Sequence, residues 1–159
     1  MIVYRITKKE HAALDGMGGL YGPGRWHRKG FPVIYTSEHA SLAAWEKIVH
    51  VASFENLQNN LLLIKIEIPE RIEIQTIPQN VLVKGWDSFP FSNETVNYGT
   101  SFLFKKEHLA LKVPSVIIPD EFNIILNPLH PEINGCKVLN TTAFLFDKRV
   151  SKFKVHDAD

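Results

Sequence analysis

Gly24-Arg25-Trp26-His27-Arg28-Lys29-Gly30, followed by Phe31 to Thr36 and a run on to Ala52, reads as a cationic glycine-flanked loop, a short apolar strand and an amphipathic helix. Within Ser37 to Ala52 the apolar residues Leu42, Trp45, Ile48, Val49 and Ala52 recur at three- and four-residue steps, the spacing of one helix face. Thr36 or Ser37 can cap such a helix, and Glu38 falls in its first turn, where the helix dipole favours negative charge. Glu46 stands at the border of the apolar stripe, away from the solvated face. A carboxylate there is costly unless it is paired. It is either a border glutamate salt-bridged to Arg25 or Arg28, or a carboxylate kept for chemistry.

Upstream of this stretch, Ile2 to Thr7 alternates Ile2, Tyr4 and Ile6 with Val3, Arg5 and Thr7, the pattern of a strand with Arg5 able to reach out from one face. Six of the nine glycines fall between Gly16 and Gly30, a density that disfavours helix and strand and lets backbone approach another group closely. The glycine spacing fits neither a phosphate-binding P-loop, which would end in Gly-Lys-Ser/Thr, nor a dinucleotide-binding turn.

Downstream, Asn59-Asn60 breaks the pattern, and Leu61 to Ile68 predicts a strand with Ile64, Ile66 and Ile68 on one face and Lys65 and Glu67 on the other, ended by Pro69. Arg71 to Ile77 repeats the alternation. Pro78 to Asn97 carries turn residues and little periodicity, as a loop covering a site would. A short helix is expected over Asn97 to Glu107 with Phe102 inward. Leu109 to Val113 and Val116 to Ile118 read as two strand pieces separated by a bend at Pro114-Ser115. Asn123 to Leu126, Val138 to Leu139 and Ala143 to Phe146 are further strand candidates, and Ser151 to Asp159 reads as a polar tail.

A chain of 159 residues with 45% hydrophobic content and no internal linker is expected to form one domain over 1–159. Eighteen Lys and Arg against seventeen Asp and Glu leave a formal charge of +1, too little for a global field that attracts nucleic acid or an anionic membrane. Cys136 is the single cysteine, which excludes an internal disulfide and a cysteine-built zinc site. No apolar run approaches the roughly twenty residues of a membrane span, and the amino terminus lacks a secretory pattern, so a cytoplasmic protein is expected. The seven histidines show no ligand-pair spacing, and no metal is expected. Ser115 lacks the setting of an activated nucleophile, so any role would come through hydrogen bonding.

Arg5, Arg25, Tyr35, Glu46 and Ser115 form the candidate constellation. Arginines bind phosphates, aromatic faces stack on flat heterocycles, and a carboxylate stabilises a developing sugar cation. Together those roles describe the cutting of a nucleotide sugar bond.

Tyr4-Arg5-Ile6, Gly24-Arg25-Trp26, Val33-Ile34-Tyr35-Thr36-Ser37-Glu38, Glu46 with Val49-His50, Val113-Pro114-Ser115, and Asn127-Pro128-Leu129-His130-Pro131 with Phe146-Asp147 resemble, in order, the RES-domain family, named for its arginine, glutamate and serine. The resemblance implies a compact α+β domain of twisted, mostly antiparallel β-sheets with a few flanking helices, similar to ADP-ribosyltransferase and diphtheria-toxin catalytic domains. It implies a toxin that destroys NAD by cutting the nicotinamide–ribose bond, by hydrolysis or phosphorolysis. Matched by motif, Arg25, Glu46 and Ser115 are the name-giving trio, with Arg5 and Tyr35 as further site positions. On this reading Arg5 and Arg25 hold pyrophosphate or ribose oxygens and Tyr35 stacks on nicotinamide. Ser115 bonds ribose or the ring amide, and Glu46 stabilises the transition state. His27 departs from the asparagine that many relatives carry after Gly-Arg-Trp. The resemblance also implies an antitoxin partner with an Xre-type helix-turn-helix domain and a toxin homodimer. Two other readings stand beside it: ADP-ribose transfer to a protein target, and a catalytically silent module that binds an Xre-like repressor.

Overall fold

The computed structural model describes residues 1–50 and 60–152, so Ala52, Asn59 and most of the expected polar tail lie outside the described residues. Seven strands form one sheet in the order β4-β5-β6-β2-β1-β3-β7. They are β1 (Ile2–Lys8), β2 (Ile34–Ser37), β3 (Leu61–Glu67), β4 (Ile74–Thr76), β5 (Ala110–Pro114), β6 (Phe122–Leu126) and β7 (Lys137–Ala143). Among the described residues β4 and β5 pair in parallel and the other neighbours are antiparallel. Among the described residues two helices, α1 (Ala40–Val49) and α2 (Asn93–Lys105), accompany this sheet, giving the expected α+β fold.

The run Ile124-Ile125-Leu126 is buried at all three residues because β6 lies between β5 and β2 with both faces covered, where a strand reads as a continuous apolar run. Alternation divides it between two cores. Ile124 and Leu126 join Val3, Ile34, Ile64 and Ile66 in one. Ile125 joins Trp26, Leu111, Val113 and Phe102 in the other, with Tyr35 and Trp86 at its edge. A third cluster, Ile6, Ala43, Leu61 and Phe146, seats α1 against β1 and β3.

α2 starts four residues before the expected Asn97, because the Ser92 hydroxyl accepts the Thr95 N–H and Glu94 occupies the first turn. Phe102 points inward as expected. Gly99 is what lets the helix dock: a Cβ there would lie 2.0 Å from the Trp26 carbonyl oxygen. The helix therefore presses directly on the Gly24–Gly30 loop.

Several local expectations are corrected. Thr36 and Ser37 do not cap α1; both belong to β2, with Thr36 Oγ1 donating to the Ile124 carbonyl at 2.6 Å, and His39 is the N-cap residue. Glu38 lies before the helix and pairs with Lys112 at 2.6 Å. The inward line of α1 runs through Leu42 and Ala43, while Trp45 and Val49 are 45% and 55% exposed. Val116–Ile118 is a bend and no strand, because Ser115 Oγ accepts the N–H groups of Ile117 and Ile118. Arg71–Ile77 contracts to β4, and Val138–Leu139 extends into β7, which stops at Ala143 instead of reaching Phe146.

Candidate functional site

With the stripe of α1 rotated onto Leu42 and Ala43, Glu46 falls one turn further along the inward line, four residues after Leu42. Its Oε1 accepts Asn123 Nδ2–H at 2.5 Å and Ser115 Oγ–H at 3.3 Å. Asn123 is itself oriented, because its Oδ1 accepts the Ser37 hydroxyl at 2.6 Å. Register makes this possible: Ser37 of β2 stands opposite Asn123 of β6, which stands opposite Val113 of β5, two residues before Ser115. Three adjacent strands thus fix one carboxylate. Both bonds land on Oε1, and among the described residues no donor reaches Oε2.

The expected salt bridge is corrected as well. Glu46 makes no ion pair with Arg25 or Arg28 among the described residues. Arg28 Nη2 donates to Asn97 Oδ1 on α2. Arg25 Nη1 donates to the carbonyls of Trp86 at 2.7 Å and Ser88 at 3.0 Å, and its guanidinium carbon lies 5.1 Å from the Phe91 ring centroid. The long connection from Pro78, which ends at Ser92 before α2 instead of at the expected Asn97, therefore closes over Arg25 between Trp86 and Phe91. Burial lowers the guanidinium pKa, opposed by the charges of Asp87, Glu46 and Tyr35 in that order. Glu46 is near enough to act on Arg25 without touching it.

Tyr35, in central β2, has the hydroxyl partner its position demands. The oxygen accepts Trp26 N–H at 3.3 Å and lies 2.9 Å from His27 Nδ1. Burial raises the phenol pKa far above its usual value, against the Trp26 N–H; Glu46 adds to the shift and Arg25 opposes it. Tyr35, Arg25 and Glu46 thus share one electrostatic neighbourhood.

Arg5 faces elsewhere in its direct contacts. Its Nη1 reaches the Ala13 carbonyl at 3.5 Å; burial lowers its pKa, and the charge of Asp15 opposes that. Its charge is nevertheless felt at Lys47, whose pKa falls through burial, then Lys8, then Arg5. Arg5 and Lys47 bring a second positive region beside α1.

Asn123, Ser37, the Trp86 and Ser88 carbonyls, Phe91 and Lys47 all escaped the reading of the sequence. A polar Asn123 within the otherwise apolar β6 was the one available signal. Asn127 serves the fold, since its Nδ2 donates to the Leu103 carbonyl at 2.9 Å and its Oδ1 accepts Leu129 N–H, anchoring the end of α2. An open groove of about 370 Å³ lined by Arg28, Phe31, Asn97, Thr100, Ser101 and Phe104 runs along α2 and contains none of the constellation. Among the described residues no helix is long and apolar enough to cross a membrane.

Fold and site together define an α+β domain in which a carboxylate oriented by Asn123 and Ser115 lies within electrostatic reach of an arginine under a loop and of the tyrosine of the central strand. The RES domain family model matches residues 2–147, and the chain belongs to that family. Toxin Res of Photorhabdus laumondii subsp. laumondii is 37% identical over 161 residues, covering 97% of this chain and 99% of that protein. Prs ADP-ribosylating toxin of Sphingobium sp. (strain YBL2) is 34% identical over 141 residues, covering 86% of each. Toxin Res of Pseudomonas putida is 35% identical over 139 residues, covering 87% of this chain and 92% of that protein. Among solved structures, the M. tuberculosis MbcT–MbcA toxin–antitoxin complex contains a chain that superposes with a TM-score of 0.69 at 17% identity, over 91% of this chain and 84% of that one. That likeness carries the fold.

Proposed function

We propose that this protein is the toxin of a toxin–antitoxin pair and depletes NAD by cleaving its nicotinamide–ribose bond. The observation that supports it best is Glu46: a carboxylate oriented by Asn123 and Ser115 through one oxygen, with the other left over and a cation within electrostatic reach. As the C1′–N bond breaks, its electron pair goes to the pyridinium nitrogen and nicotinamide leaves neutral, while positive charge gathers on the ribose. A preorganised carboxylate stabilises that charge more than it stabilises the ground state. An acceptor oxygen then bonds C1′ and sheds a proton. Water gives ADP-ribose; inorganic phosphate gives ADP-ribose phosphorylated at the anomeric carbon.

Arg25 keeps guanidinium hydrogens beyond the two spent on Trp86 and Ser88, and those suit a ribose or phosphate oxygen. Arg5 takes the pyrophosphate, and the Tyr35 ring is the wall for nicotinamide. Ser115 serves by holding Glu46, with its oxygen already taken by Ile117 and Ile118. An Xre-type antitoxin, a toxin homodimer and a cytoplasmic place of action belong to the same proposal and rest on the family resemblance. A second reading, transfer of ADP-ribose to a protein, is favoured by the name of the Sphingobium relative.

Purified protein incubated with NAD, with and without phosphate, tests the proposal by chromatography of nicotinamide and mass analysis of the other product. Nicotinamide with free ADP-ribose or its anomeric phosphate is expected. A mass gain on a protein acceptor with little free ADP-ribose selects the second reading, and no nicotinamide under any condition rejects both.

A further inference from the structure

His27 is 4% exposed, and glycines close around its ring. A Cβ at Gly24 would lie 2.8 Å from both Nδ1 and Cε1 of His27 and 2.9 Å from the Tyr35 oxygen; one at Gly19 would lie 3.2 Å from Nε2 and 2.3 Å from the Phe31 carbonyl. The imidazole fills a space that larger residues at those positions would deny it. Its Nε2 lies 3.0 Å from the Gly22 carbonyl, which only accepts, so the ring proton sits on Nε2 and Nδ1 is an acceptor. Nδ1 lies 2.9 Å from the Tyr35 oxygen, so the Tyr35 hydroxyl donates to it while accepting Trp26 N–H. Gly22, His27 and Tyr35 form one directed chain of hydrogen bonds from the glycine loop to the central strand, spanning Arg25.

We propose that His27 is a positioning residue: in its Nε2-protonated form it ties Tyr35 to the glycine loop, so that the aromatic wall and Arg25 are held as one unit. The inference rests on the reading of Tyr35 as a wall of the NAD site and adds a group to it that does not touch substrate. It also carries a pH dependence. A proton on Nδ1 would turn that atom into a donor, and the Tyr35 oxygen would have to receive it in competition with Trp26 N–H. Burial, opposed by the Gly22 and Gly19 backbone contacts, holds His27 below its ordinary pKa of 6.5, so the tie is intact at neutral pH and fails on acidification. The groups facing the ring are Gly19, Gly22, Gly24 and the Tyr35 hydroxyl, with Arg25 and Arg28 near in sequence; Glu46 and Arg25 act on Tyr35 from beyond it. Among the described residues no carboxylate touches the imidazole.

Two substitutions separate the two nitrogens. His27→Asn keeps an acceptor where Nδ1 stands, and His27→Gln keeps a donor where Nε2 stands. The Asn variant keeps the Tyr35 contact and loses the Gly22 one, so kcat for nicotinamide release is expected to fall about threefold and the acid limb of the wild-type kcat profile to disappear. The Gln variant is expected to lose about tenfold, the worth of one hydrogen bond. Proton–nitrogen correlation NMR reads the tie with no NAD present: wild-type His27 should show a protonated Nε2 and a bare Nδ1, and Tyr35→Phe should move the Nδ1 signal and raise the pKa. A proton on Nδ1, a Tyr35→Phe spectrum unchanged at His27, or equal kcat and identical acid limbs in both His27 variants overturns the proposal. No nicotinamide release by the wild type overturns the NAD reading and the role of the tie with it, while the NMR result still reports whether the tie exists.

Discussion

Glu46 and Arg25 are held in opposite ways. The glutamate is fixed by side chains on and just past the strands, with Asn123 of β6 and Ser115 at the end of β5 on its Oε1 and Ser37 of β2 behind Asn123. The arginine is fixed by backbone carbonyls of a connecting segment and by a loop whose shape depends on glycines and a buried histidine. A carboxylate that must meet a developing charge gains from a rigid mount. On the proposed NAD reading, a cation that admits a dinucleotide gains from a mount that can lift, and loops supply it. On that reading the Trp86–Phe91 segment is the part expected to move as NAD enters.

Breaking each mount in turn sharpens this contrast. Among these changes the largest effect is expected for Arg25→Lys, which keeps the charge and loses the fork: kcat/KM for nicotinamide release should fall about 10²-fold with the melting temperature nearly unchanged. Asn123→Ala should follow, since a hydrogen bond to a charged group is worth about 1.5–3 kcal/mol, and kcat should fall at least tenfold with little change in KM. Gly99→Ala acts on stability. In an exposed helix the change would be favourable by about 0.5–1 kcal/mol, but here the added methyl meets the Trp26 carbonyl, so a loss of about 1–3 kcal/mol is expected in a denaturant melt. The smallest effect belongs to His27. With its folded pKa below 6.5, the unfolded chain binds the proton first as pH falls, so the His27 contribution is full above 6.5 and declines on acidification towards the folded value. Stability of wild type against His27→Asn at pH 7 and pH 5 checks it, the wild type losing more.

Much of the fold was legible, and the part that was not has physical reasons. Ile64, Ile66 and Ile68 alternate so strictly that β3 could be read directly, and the apolar run Ile124 to Leu126 marked a strand, though its cover on both faces came only with the sheet order. α1 was harder. Trp45 and Val49 supplied apolar residues at helical spacing on a face that is half exposed, which rotated the inferred stripe and left Glu46 at its border instead of in line with Leu42. The strand expected after Ser115 failed because one hydroxyl accepting two backbone N–H groups outweighs the β preference of Val116 and Ile117. At the candidate site, the arginine, tyrosine, glutamate and serine carried a family pattern from which they could be proposed. The carbonyls of Trp86 and Ser88 could not, since a backbone acceptor has no signature in a side chain. Asn123 became visible only when register placed it between Ser37 and Glu46.

The central claim is that Glu46 answers the charge that develops on ribose when nicotinamide leaves. Single-turnover release of nicotinamide by Glu46→Gln tests it most directly, because glutamine keeps an oxygen for Asn123 and Ser115 and removes only the charge. A fall of about 10²–10³-fold in the chemical step, with NAD affinity and melting temperature close to wild type, is predicted. A wild-type rate in that variant would contradict the account.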